Sequence, residues 1–226
     1  MLCIGCATNT VFCNSALDTL ITGLIYQAAV QVRIIKDTMA NLEEFAEEKL
    51  GAEHETLTSF ERENRDTLKD KLVYGKISQC VYRYGMIKKF VLDIEDAYSI
   101  AIFLQFGISV LLICVQCFQL TLVEPLSYRF LYIIITLITT TSEVFMYCYA
   151  GSLIYNETLF FNSDLYITNW INLDLKSKRA LITLMEYGKR PFVIRAGKLF
   201  DLSLDTFAFI MRRSYSLLAI MQNYKY

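Results

Sequence analysis

Hydrophobic positions along this chain fall into long uninterrupted blocks. Ile100 to Val123 is a run of 24 residues without a charge, and Phe130 to Ser142 is a second uncharged run. Met1 to Val32 holds one charged residue, Asp18, and the stretch closes on Arg33 and Lys36. Apolar stretches of about 18 residues or more match the hydrocarbon thickness of a bilayer, so the pattern predicts membrane helices at 9–36, 99–123 and 129–156. The turn Glu124-Pro125-Leu126-Ser127-Tyr128 separates the last two, and Pro125 suits that boundary because it lacks the amide donor that would continue a helix. A fourth span is predicted at 202–224; it is less apolar and contains Asp205, Arg212 and Arg213. No basic segment precedes the first apolar stretch and no small-residue cleavage motif follows it, which argues against a signal peptide.

Two polar segments separate these spans. In 37–98, the part from Glu43 to Asp70 has ten acids against four bases and few core-forming residues, so it reads as loose or partly helical. Beyond it, Val73, Ile77, Cys80, Val81, Tyr84, Ile87, Val91, Ile94 and Tyr98 recur at spacings of three and four, predicting an amphipathic helix that runs on into the second span. In 157–201, Ala180, Leu181, Leu184 and Met185 share one face of a helix over 176–186, which Pro191 is expected to end. Gly197 is expected to permit a turn before the last helix.

Basic residues orient these segments. Of the 22 Lys and Arg, 18 fall at Arg33, Lys36 or within 37–98 and 157–201. By the tendency of bases near span ends to stay inside, both segments are cytosolic. Both termini then lie outside, and an odd number of earlier spans is expected to be missing. The sequon Asn156-Glu157-Thr158 falls on the cytosolic side and is expected to be unused.

With 54% hydrophobic and 20% charged residues, the 226-residue chain exceeds the apolar content of ordinary soluble domains. That excludes a purely soluble, disordered or disulfide-stapled chain. One histidine and a net charge of −1 argue against His-rich metal sites and nucleic-acid binding. Cys3 with Cys6, and Cys114 with Cys117, have C-x-x-C spacing, but without histidines at ligand spacing they read as buried thiols and no metal or other cofactor is expected.

Several pieces together resemble the insect odorant receptors. Ser142-Glu143-Val144-Phe145-Met146-Tyr147-Cys148-Tyr149-Ala150-Gly151 resembles the family's penultimate-helix signature. Tyr166, Trp170, Lys178-Arg179-Ala180-Leu181, Met185 and Arg190-Pro191 follow, then Ala196-Gly197-Lys198-Leu199-Phe200-Asp201-Leu202-Ser203-Leu204-Asp205-Thr206-Phe207 and Ile210-Met211-Arg212-Arg213-Ser214-Tyr215-Ser216. The segment Val81-Tyr82-Arg83-Tyr84-Gly85 departs from the family in lacking a histidine often found there.

The resemblance implies an all-α membrane protein, four transmembrane helices with long cytosolic helical extensions, as part of a seven-helix odorant receptor fold. Residues 1–36 would be family helix four, 37–98 a cytosolic loop and amphipathic helix, and 99–156 a hairpin of helices five and six. Residues 157–201 would be a cytosolic anchor segment and 202–226 the pore-lining helix seven. It further implies a ligand-gated, non-selective cation channel of the plasma membrane that detects volatile chemicals with an obligate co-receptor subunit in a hetero-tetramer. Pieces near 30–45, 70–99, 150–165 and 172–190 would form the anchor. The family's ligand pocket draws on helices two, three, four and six, so this chain supplies part of it.

Within that frame Arg212, Arg213, Tyr215 and Ser216 are the candidate pore-lining residues. An arginine inside a span either faces water or protein, or snorkels to the headgroups; neighbours about 100° apart on a helix cannot both face one lumen. Asp18, Tyr132, Ile135, Thr139 and Glu143 are the ligand-pocket candidates. Asp18 is either a polar wall of that pocket or a solvated helix end. Glu143 is either a vestibule or bundle carboxylate or a protonated group bonded to a nearby hydroxyl. Tyr166 and Trp170 read as membrane-interface anchors or, by the resemblance, as cytosolic packing. An enzyme would need an acid–base or metal constellation; His54 is read as a solvated side chain, and neither a nucleophile elbow nor a phosphate-cradling glycine loop is found. The alternative to a receptor is a scaffold that oligomerises in lipid without responding to ligand.

Overall fold

The computed structural model describes residues 2–52, 65–125, 127–168 and 170–223. His54, Leu57, Phe60 and the central part of the acidic segment lie outside them. Helix α1 covers Leu2–Ala40 and contains the predicted first span; α2 follows at Leu42–Ala52. Helix α3, Arg65–Leu122, joins the amphipathic segment and the second span into one element of 58 residues. The chain turns at Pro125 and re-enters helix as α4, Tyr128–Leu159, with the Ser127 carbonyl accepting from the Leu131 amide at 3.1 Å. Short α5, Phe161–Ile167, and a single 3-10 turn at Trp170–Asn172 lead to α6, Leu175–Tyr187. Strands β1, Arg195–Ala196, and β2, Phe200–Asp201, form an antiparallel hairpin before α7, Leu204–Asn223. The described residues are thus overwhelmingly helical.

The chain divides into two compact units: residues 1–26, 92–154 and 193–226 in the first, and 27–91 and 155–192 in the second. In the first, the apolar surface of the long helices points outward as well as inward. Ile102, Phe106 and Ile113 of α3 are buried, yet Ile100 is 72% and Leu111 68% exposed. A helix apolar on every side is suited to lipid. Two stretches, Arg65–Leu122 and Tyr128–Ile167, are long and apolar enough to cross a bilayer.

In the second unit, the face expected from the spacing is the one buried: Val73, Ile77, Cys80, Tyr84, Ile87 and Val91 are all inside. Tyr84 meets Phe161 with ring centroids 4.6 Å apart and Phe192 at 5.4 Å. The Phe192 amide donates to buried Thr158 Oγ1 at 2.9 Å. Lys36 pairs with Glu157 and, at 3.0 Å, with Asp164. Helix α6 opens on Asp174, whose side chain accepts from the Lys176 amide, the usual role of an N-cap carboxylate. It ends at Gly188, three residues before Pro191, and glycine suits that position because a Cβ there would come within 2.6 Å of Phe161 Cδ1 and Asn162 Oδ1.

The hairpin is an addition to the expected turn. Gly197 and Lys198 both have φ of 60°, and the Leu199 amide donates to the Ala196 carbonyl. Positive φ at both central residues marks a type I′ turn, which matches strand twist. Arg195 Nε and Asp201 Oδ1 pair across it at 3.1 Å.

Candidate functional site

The polar centre of the first unit is built from α1 and α4. Asp18 and Glu143 border one cavity of about 130 Å³, together with Thr19, Thr22 and Tyr147. Tyr147 is 2% exposed, and its hydroxyl donates to Asp18 Oδ1 at 2.7 Å. The second oxygen of Asp18 is buried and has no hydrogen-bond partner. Phe106 of α3 lies edge-on to the Tyr147 ring at 6.1 Å and holds it against α1. Thr19 and Thr22 donate their hydroxyl hydrogens to the carbonyls of Ser15 and Asp18, leaving their oxygens as acceptors towards the cavity. Carboxyl groups within lipid-crossing helices are costly unless they face protein, water or a ligand.

The sequence alone does not single out Tyr147. Its signal was the position four residues after Glu143, one turn along the same helix face; its partner was invisible, because Asp18 lies 129 positions away. Tyr132, Ile135 and Thr139 are not gathered into this cavity. They share an outward face of α4, with Tyr132 and Ile135 exposed and the Thr139 hydroxyl donating to the Ile135 carbonyl at 2.9 Å.

On α7, Arg212, Arg213, Tyr215 and Ser216 are all exposed while Ser214 between them is buried. The Arg213 guanidinium sits 5.2 Å from the centre of the Phe209 ring one turn earlier, a cation–π contact. The start of α7 is fixed: Ser203 Oγ accepts from the Thr206 amide, and the Leu204 amide donates to Ser152 Oγ of α4 at 2.8 Å.

In the second unit, burial pushes the Cys80 thiol up, against the lowering effect of the nearby Lys76 and Arg83 cations. Burial also raises the Tyr84 phenol. Both groups therefore remain protonated near neutrality and act as packing. Cys114 and Cys117 are free thiols. Tyr166 and Trp170 stand 6.0 Å apart, and Trp170 Nε1 donates to the Tyr166 carbonyl; with Leu181, Ile182 and Met185 they border an apolar cavity of about 280 Å³.

Tyr147→Phe removes the hydrogen bond to Asp18 Oδ1 and is expected to destabilise the chain by about 1–3 kcal/mol, the cost of leaving a buried acceptor unpaired. Thermal denaturation in detergent checks this. Adding Asp18→Asn should recover part of the loss; a fully additive double variant would show that the two groups do not interact.

Helices apolar on their outer surface, with carboxyl groups within, define a membrane-embedded helical protein. The sequence matches the family described as 7tm Odorant receptor over residues 2–215, and the chain belongs to that family of membrane-embedded odorant receptors. It is 30% identical over 153 residues to odorant receptor Or1 of Anopheles gambiae, covering 67% of this chain and 37% of that protein. With odorant receptor 9a of Drosophila melanogaster it shares 33% identity over 131 residues, covering 58% of this chain and 33% of the relative. The chain thus spans about a third of the length of these curated relatives. Its fold is similar to that of the insect olfactory receptor OR5 from Machilis hrabei, solved in complex with eugenol, with a TM-score of 0.53 and 11% identity over 92% of this chain and 69% of that one.

Proposed function

We propose that the chain is a subunit of an odorant-gated, non-selective cation channel that works with a co-receptor subunit in a hetero-tetramer of the plasma membrane. In this reading α1, α3, α4 and α7 each cross the bilayer, and 37–98 and 157–201 lie in the cytosol, the second as part of an anchor between subunits. The exposed apolar side chains Ile167, Ile171, Leu175 and Ile182 are suited to such an anchor, since an exposed apolar cluster seeks a partner surface.

The observation that carries the proposal is the pairing of Asp18 and Tyr147 beside Glu143, in a cavity between helices whose outer faces are apolar. The cavity is mostly polar, with Ser15, Thr19, Thr22 and Ser142 beside the carboxyls and Met146 as its apolar wall, and such placed polar groups fix the orientation of a small ligand. A volatile ligand held there opens the channel to the extent that it binds the open state more tightly than the closed one. Tyr132, Ile135 and Thr139 stand outside this cavity on the outward face of α4, so the proposed pocket rests on Asp18, Glu143 and Tyr147. Arg212, Arg213, Tyr215 and Ser216 supply the exposed face of α7 that borders the conducting path.

Co-expression with a co-receptor subunit tests this: ligand-evoked cation current supports it, and assembly without current supports the scaffold alternative. Arg212→Ala is expected to raise unitary cation conductance, because a fixed positive charge beside the path repels cations. Unchanged conductance and selectivity would remove Arg212 from the path. A tag at Asp66 should react with antibody only in permeabilised cells.

A further inference from the structure

A second cavity, larger than the one at Asp18, lies within the first unit between α3, α4 and α7. It measures about 500 Å³ and is bordered by Ile113 and Cys117 of α3, Leu137 and Phe145 of α4, and Met211 and Ser214 of α7. Phe145 and Phe207 meet edge-to-face at 5.5 Å along its wall. This volume falls within the range of small-molecule sites.

The chemistry of the walls narrows the occupant. No charged side chain borders the cavity, so a neutral molecule complements it; an ion would be left without a counter-charge. The walls are apolar apart from a few hydroxyl and thiol groups. Ser142, which also borders the cavity, donates its hydrogen to the Thr139 carbonyl at 2.7 Å, so its oxygen is free to accept. The helices around it present apolar side chains outward, at Ile108, Leu111, Val115 and Ile135, a surface suited to lipid, and Ile138 borders the recess itself. Its three walls come from one chain, and its volume of about 500 Å³ suits a small molecule.

We infer that this recess is a binding site for a neutral, lipophilic small alcohol that enters from the bilayer and wedges against α7. It is separate from the Asp18 cavity, and only its influence on gating rests on the proposed pore role of α7. A ligand bound there favours whichever conformation of α7 holds it better.

The site is tested with the chain in phosphatidylcholine vesicles, using a photoreactive diazirine analogue of octanol and mass spectrometry of the labelled peptides. Adducts should concentrate on residues 137–145 and 207–215 and be lost with excess octanol. Thr141 also borders the recess, so Thr141→Trp, which fills it, should also lose them, while Ile100→Trp on the outward face of α3 should not. Adducts spread equally over outward positions such as Ile100 and Leu111, or labelling that octanol does not compete, would overturn the proposal. So would a phospholipid retained in the recess that blocks the probe. Competition on the unsubstituted chain decides the matter if Thr141→Trp fails to fold. Labelling is read without current: confined labelling in a chain that passes no current refutes only the channel reading, and current without confined labelling refutes only this site.

Discussion

Phe161→Ala is expected to lower the stability of the folded chain by about 3–5 kcal/mol, the usual cost of truncating a fully buried aromatic ring. Phe161 is 0% exposed, and two segments meet on it. Its ring lies 4.6 Å from that of Tyr84 on α3, Gly188 at the end of α6 is pressed against it, and Tyr84 carries the contact on to Phe192. The aromatic pairing adds about 0.5–1.5 kcal/mol beyond the area buried. Removing the ring opens a void that the capped end of α6 and the hydrogen-bonded Phe192 segment cannot easily collapse into. Thermal unfolding in detergent is the direct check, with Tyr166→Ala as comparison because Tyr166 is 65% exposed. Equal shifts for the two variants would show that Phe161 is not central to its unit.

Gly151→Val is the second large effect, and its cause is the opposite of a void. A Cβ at 151 on α4 would stand 2.6 Å from Leu202 Cβ and collide with the Leu202 carbonyl oxygen. Backbone cannot rotate away as a flexible side chain would. Leu202 is buried, and its amide donates to the Ile194 carbonyl at 2.9 Å. Overpacking of this kind costs about 1–3 kcal/mol and occasionally more, and here the strain falls on the segment leading directly into α7. Gly151→Val should lower both the melting temperature and the amount of protein at the cell surface, and Gly151→Ala should do so less. Normal melting and surface amounts for both would mean that α4 and the Leu202 segment are not in close contact in the membrane.

The helical content and the buried face of α3 were legible because they depend on local spacing. Residues such as Val73, Ile77, Cys80 and Tyr84 are three or four apart, and one helix carries that information without reference to anything else. Lys36 shows the boundary of such reading. From sequence it is a base near a span end and so an indicator of topology; in the fold it is the cation between Glu157 and Asp164. From sequence the hairpin at 195–201 shows only a turn at Gly197, since two-residue strands are too short to show alternation. At the candidate site, Asp18 and Glu143 stood out as charges within apolar runs. Tyr147 did not, because a tyrosine in such a run looks like any other large ring until its distant partner is in place. The recess between α3, α4 and α7 was illegible for a related reason: its walls are ordinary apolar residues, and only packing creates the space.

The hairpin and the residues after it bear on how α7 can move. The Gly197 amide is bonded to the Ser99 carbonyl of α3 at 2.9 Å, Phe200 stacks on Phe103 of the same helix, and the Leu204 amide is held by Ser152 of α4. One end of α7 is thereby clamped to two other helices, like a reed fixed in its block. Displacement must then grow from Leu204 towards Ser216, as bending and torsion along the helix, and a piston-like slide of the whole element would first have to break the clamp.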